Sequence, residues 1–178
     1  MKSEILMPVG ILIERRKSTH PWADYTWKGL GVVPNALPTG GWQIAVQGDM
    51  ATQFLYASVN LVLHRRMGEA YDANVETGSP ALWIMLDDAD TQPVPYRVHG
   101  VTADPYEAQG RLDSAEGLVE RVDMPPEILA WAVDYIKQMP DPGAFLKRKR
   151  VPEKLEEQKF GKMPIFSPEG RRVEGEDT

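Results

Sequence analysis

Apolar and polar residues alternate along the first hundred positions of this chain, and the period changes after them. Met7, Val9, Ile11 and Ile13 recur every second residue, the pattern of a half-buried strand. Glu14, Arg15 and Arg16 carry the end of that strand towards solvent. Residues 26–33 predict a second strand, stopped by Pro34 and Asn35, and residues 36–41, with Pro38 and Gly40-Gly41, predict a loop. Residues 42–47 predict a third, short strand closed by Gly48-Asp49. Residues 54–65 form the longest candidate, with Val59, Leu61 and Leu63 facing one way and Asn60, Val62 and His64 the other. Met67-Gly68-Glu69 predicts a turn, and residues 71–76 a further strand ended by Thr77-Gly78-Ser79-Pro80. Residues 81–86 contain no charge, which predicts a strand buried on both faces. Asp87, Asp88 and Asp90 close it as a solvated acidic turn, and residues 95–101 predict the seventh strand.

Beyond residue 101 the spacing becomes helical. Asp104 suits an N-cap, Pro105 the first helical position and Glu107 the reciprocal capping position. Gly110 and Gly117 keep that helix short. Residues 118–122 read either as one more strand or as an extended connector. Pro125 and Pro126 open a second helix, whose buried stripe is Ile128, Leu129, Ala132, Tyr135, Ile136 and Met139. Pro140, Asp141, Pro142 and Gly143 end it. Strands followed by helices favour an α+β fold, mainly antiparallel. The expected architecture is a bent sheet or partly open barrel of about seven strands followed by two helices. That is a pleckstrin-homology-like order of elements, an analogy of order alone, which fixes no function.

The 178 residues predict one β-rich domain over residues 1–146 and a separate segment, 147–178, that opens on the basic cluster Lys147, Arg148, Lys149 and Arg150. The alternating charges and sparse apolar residues of that segment predict a disordered tail. A net charge of −6 argues against a general nucleic-acid binder. The absence of cysteine excludes disulfides, zinc–thiolate and iron–sulfur ligation and cysteine nucleophiles. Neither a membrane-spanning apolar run nor the apolar core of a signal peptide is present, so the expected location is cytoplasmic.

The search for chemistry is mostly negative. His20, His64 and His99 show no metal-motif spacing, and the bland reading of His64 and His99 is a pair of partly solvated strand residues. Gly29-Leu30-Gly31 and Gly40-Gly41 do not open a helix, so they cradle no phosphate. No serine-nucleophile pattern occurs. The acidic turn lacks the further oxygen ligands of a calcium loop. No cofactor, metal or catalytic residue is expected, and the chain reads as a non-enzyme. An enzyme with an unfamiliar site is the remaining contrary reading.

One segment stands apart. Residues 14–28 gather Arg15, Arg16, Lys17, His20, Trp22, Asp24 and Trp27 between two apolar runs. As architecture this is a long hairpin turn whose aromatics cover one end of the sheet. As function it is a recognition patch: Arg15, Arg16, Trp22, Asp24 and Trp27 supply forked donors and rigid contact area. Lys147, Arg148, Lys149 and Arg150 would add a second contact. These residues describe a protein-binding surface, with a small-ligand or anion module built on Arg15, Arg16, His64 or Arg97 as the alternative.

The blocks at residues 7–16, Pro21-Trp22-Ala23-Asp24, Leu63-His64-Arg65, residues 71–75, Trp83-Ile84-Met85, residues 101–108 and residues 145–150 occur in an order that resembles a bacterial family described as a domain of unknown function. The resemblance covers about residues 5–150. Genes of that family commonly sit near molybdenum-dependent formate dehydrogenase genes and their accessory factors. The resemblance therefore implies an accessory or assembly role, with a dehydrogenase subunit or maturation factor as partner. It carries no catalytic residue. A permanent structural subunit of a respiratory complex is a further alternative.

Overall fold

The fold is taken from a computed structural model of the chain that describes residues 2–139. Seven strands and three helices follow one another as β1 (Glu4–Lys17), β2 (Tyr25–Pro34), β3 (Gln43–Gln47), β4 (Ala51–His64), α1 (Gly68–Glu76), β5 (Ala81–Asp88), β6 (Tyr96–Thr102), α2 (Pro105–Ser114), β7 (Leu118–Asp123) and α3 (Pro126–Lys137). A single 3-10 turn, Arg65–Met67, joins β4 to α1. All strand pairs are antiparallel. They form a four-stranded sheet in the order β2-β1-β4-β3 and a three-stranded sheet in the order β6-β5-β7.

The inward residues of β1, namely Val9, Ile11 and Ile13, are fully buried and stand opposite Val59, Tyr56 and Phe54 of β4. Leu82, Ile84 and Leu86 of β5 are equally buried and belong to the same apolar core, into which α3 inserts Ile128, Ala132 and Tyr135. The core thus lies between the two sheets and under α3. The sheets approach each other at both sides. β2 runs beside β7, where the Gly29 N–H donates to Glu120 Oε2 at 3.2 Å, and β4 runs beside β6. Neither approach is a backbone ladder, so this is a pair of sheets and not a closed barrel.

The segment expected as a strand over residues 71–76 is helical. Ala70, Tyr71 and Asn74 share one buried face at helical spacing. The Asn74 amide settles the matter chemically. It donates to Ala81 O at 2.8 Å and Ala103 O at 2.9 Å and accepts from Ala81 N–H at 3.1 Å, three bonds that dock α1 on the start of β5 and the residue after β6. Two of the three helices therefore fall between strands rather than after them. Residues 118–122, left open between strand and connector, belong to β7 and pair with β5. Asp104 caps α2 as expected, accepting from the Tyr106 N–H at 2.8 Å with Pro105 in the first turn, but the reciprocal bond expected of Glu107 is replaced by one from the Asp104 N–H to Thr102 Oγ1 at 3.1 Å. In the described residues no helix is long and apolar enough to cross a membrane.

Candidate interaction surface

The long hairpin between β1 and β2 does not end alone. The Lys17 N–H donates to Met50 O at 3.1 Å, which lays the tip of the β3–β4 hairpin against the base of the β1–β2 tip. Within the first tip, the Ser18 N–H donates to Asp24 O at 2.9 Å and the His20 N–H to Ser18 Oγ at 3.0 Å. In the second, the Gly48 N–H closes on Ala51 O at 2.9 Å. Two turns thus form one end of the four-stranded sheet.

That end carries five of the large apolar side chains left in solvent. Trp22 is 92% exposed, Met50 62%, Ile44 and Val46 54% each and Tyr25 41%. All five residues of β3 are exposed, and its outer edge has no ladder partner among the described residues. Ile44 pairs with Phe54 and Val46 with Gln53 across a bulge, so the two project to opposite faces of the edge strand. Exposed apolar side chains on an unpaired edge are a feature that soluble proteins usually suppress with charge or cover.

The residues singled out in the sequence divide here. Trp22 stands free at the tip, and Asp24 holds the turn through its backbone carbonyl. Arg16 is exposed and its Nε bonds Glu14 Oε1 at 3.0 Å. Arg15 is half-buried, its guanidinium 4.6 Å from the centre of the Tyr25 ring and 5.4 Å from that of Phe54. Trp27, opposite Arg15 in the ladder, packs inward, 5.9 Å from Phe54 and edge-on to Tyr96 at 5.8 Å. Arg15 and Trp27 therefore brace the sheet end from inside, and Trp22 and Arg16 face outward from it. Lys147, Arg148, Lys149 and Arg150 lie outside the described residues.

Sequence reasoning missed the second half of this surface. Ile44, Val46 and Met50 read as ordinary strand and turn residues, and only the register of β3 on β4 shows them uncovered. It also missed a polar cluster at the far end of β5. Asp87 is reached by Arg97 Nη2 and His99 Nδ1, each at 3.4 Å, and by Arg111 Nη2 from α2. Burial pushes the Asp87 carboxyl up, but the hydrogen bonds from His99 and Arg111 and the charges of the same two groups outweigh it and hold Asp87 below the ordinary carboxylate range. The acidic turn is thus partly a fastening between α2 and the three-stranded sheet. Among the described residues no group of three or more His, Asp or Glu side chains converges to hold a metal.

Architecture and surface define a small α+β protein built on two antiparallel sheets, with an uncovered apolar sheet end. Residues 8–149 match the family model described as a protein of unknown function, DUF3305, and the chain belongs to that family. No curated protein and no solved structure matches the chain.

Proposed function

We propose that this protein is a non-catalytic accessory factor that works through protein–protein contacts made by the paired hairpin tips and the free edge of β3. The observation that carries the reading is the exposure of Trp22, Ile44, Val46 and Met50 at one sheet end. An exposed tryptophan beside further apolar area is the composition of a contact hot spot. An unpaired edge of five uncharged residues, Gln43–Gln47, offers main-chain hydrogen bonds to an extended segment of a partner. Arg16 and Lys17 add cations at its rim, suited to an acidic partner surface.

For the partner, the reading rests on the family resemblance, which points to a formate dehydrogenase subunit or maturation factor in the cytoplasm. Native co-purification tests both halves. The unaltered chain is expected to enrich such a subunit over a charge-matched control. The folded double variant Trp22→Ala, Met50→Ala is expected to lose most of that enrichment. Retention of the partner by the folded variant, or no enrichment of a dehydrogenase component at all, counts against the proposal.

A further inference from the structure

A different region carries a second, independent site. Beyond its pairing with β3, the upper half of β4 faces β6 across a groove of about 640 Å³, closed at its ends by the first turns of α1 and α2. Val62, Met67, Met85 and Val101 give it an apolar lining, and His64 and His99 both border it, one from each strand. Tyr106 and Glu107 border it from α2. The volume falls within the range of small-molecule sites, roughly 300–1,000 Å³.

We propose that this groove binds a small organic cation, an alkylammonium or guanidinium on an apolar stem. Charge comes first. Glu107 and Asp104 line the groove, and no Lys or Arg does. The Asp104 carboxylate is already committed to the Tyr106 N–H, which leaves Glu107 as the carboxylate with no partner among the described residues. The arginines near His99 stay on the Asp87 side of that ring and do not enter the groove lining.

Acceptors come second. His64 Nδ1 lies 3.3 Å from Glu4 Oε2, and His99 Nδ1 lies 3.4 Å from Asp87 Oδ2. Each neutral imidazole offers one acceptor nitrogen, and in the tautomer of His99 that gives its Nδ1–H to Asp87 that acceptor is Nε2. Two acceptor nitrogens and a carboxylate suit a ligand that brings several N–H donors. The aromatic face is the third element. Tyr106 is 69% exposed on the first turn of α2, beside Glu107, where its ring offers a cation–π contact to the same charge. An anion would meet the charges of Glu107 and Asp104 with no Lys or Arg in the lining to offset them.

The test is a titration of the full chain followed through its backbone amides by NMR. Agmatine and n-butylammonium are expected to shift amides on both walls, around His64 and from His99 to Glu107, and to saturate. Butyrate and 1-butanol at equal concentration are expected to leave them in place. Glu107→Gln and, separately, Tyr106→Leu are each expected to weaken agmatine binding about three- to tenfold, with the rest of the spectrum unchanged. An equal response to 1-butanol, shifts confined to other regions, or unaltered affinity in both variants would overturn the proposal. Because the paired tips are not involved, failure here leaves the partner-binding proposal standing, and the reverse.

Discussion

Individual backbone positions limit what the end of the three-stranded sheet can accommodate. Gly117 links α2 to β7 with φ at +71°, a conformation that glycine adopts freely and other residues enter at a cost. A Cβ built there would stand 1.9 Å from Leu86 O and 2.9 Å from Leu86 C. Both obstacles are backbone of the central strand β5, so no side chain can swing aside to make room. Gly117→Ala is expected to lower stability by about 2–4 kcal/mol, through steric displacement and left-handed strain together. Urea unfolding followed by circular dichroism measures it. A midpoint within error of the parent would show that the turn has another conformation. Gly31 is the useful control, because a Cβ there meets nothing within 4 Å.

Among the elements, β3 is the one whose sequence and setting disagree. Ile44 and Val46 are β-formers placed where water covers them, on an edge strand without a single charge. A cationic gatekeeper is the usual remedy at such an edge. Val46→Lys is therefore expected to leave the unfolding free energy within about 0.5 kcal/mol of the parent, since the position is exposed. It is also expected to reduce partner capture sharply, and analytical ultracentrifugation should show less concentration-dependent association. A marked loss of stability would mean that Val46 packs against something within the chain. The same element shows where sequence reading reaches its limit. The apolar pattern predicted β1, β2, β4 and β6, and an unbroken uncharged run predicted β5, because each buries one face or two, and the Asp104-Pro105-Tyr106-Glu107 start predicted α2 because capping is local. Residues 71–76 alternate as well, yet they form α1, because Asn74 finds its partners at Ala81 and Ala103, contacts that no local pattern encodes. Exposure of Ile44 and Met50, and the meeting of His64 with His99 across one groove, likewise depend on which elements the fold leaves uncovered. The exposure of Trp22 was legible because a tryptophan in a polar turn lacks a local burial partner. The inward packing of Trp27 was not, since it needs Phe54 and Tyr96 from other strands.

At the scale of the whole molecule, ionisable groups among the described residues fasten α3 to the start of the chain and α2 to the three-stranded sheet, so stability should fall at both extremes of pH for different reasons. On the acid side the relevant group is Asp87, which joins β5 to β6 through Arg97 and His99 and to α2 through Arg111. Its carboxyl ionises below its ordinary range in the folded chain. A depressed carboxyl stabilises the fold above the unfolded value, near pH 4, and loses that contribution as pH falls through the lower folded value. Asp87→Asn should accordingly lower the melting temperature at pH 7, with a difference that shrinks below pH 4. On the alkaline side the phenols act. Burial raises Tyr71, against the bond donated by the His64 N–H and with Asp104 and Glu107 adding to the rise. Burial also raises Tyr135, whose hydroxyl donates to Lys2 O at 3.1 Å and so ties α3 to the start of the chain. A raised phenol favours the fold fully below pH 10, and that stability drains away as pH climbs from 10 through the folded value, because the unfolded chain ionises first. Replacing Tyr71 and Tyr135 by Phe should lower stability at neutral pH, since two hydrogen bonds are lost, yet flatten its decline above pH 10. The slope is the diagnostic quantity. A double variant that declines as steeply as the parent between pH 10 and 11.5 would locate the alkaline sensitivity elsewhere, with Tyr96, raised by burial and by Asp88 and Glu120, as the next phenol to replace.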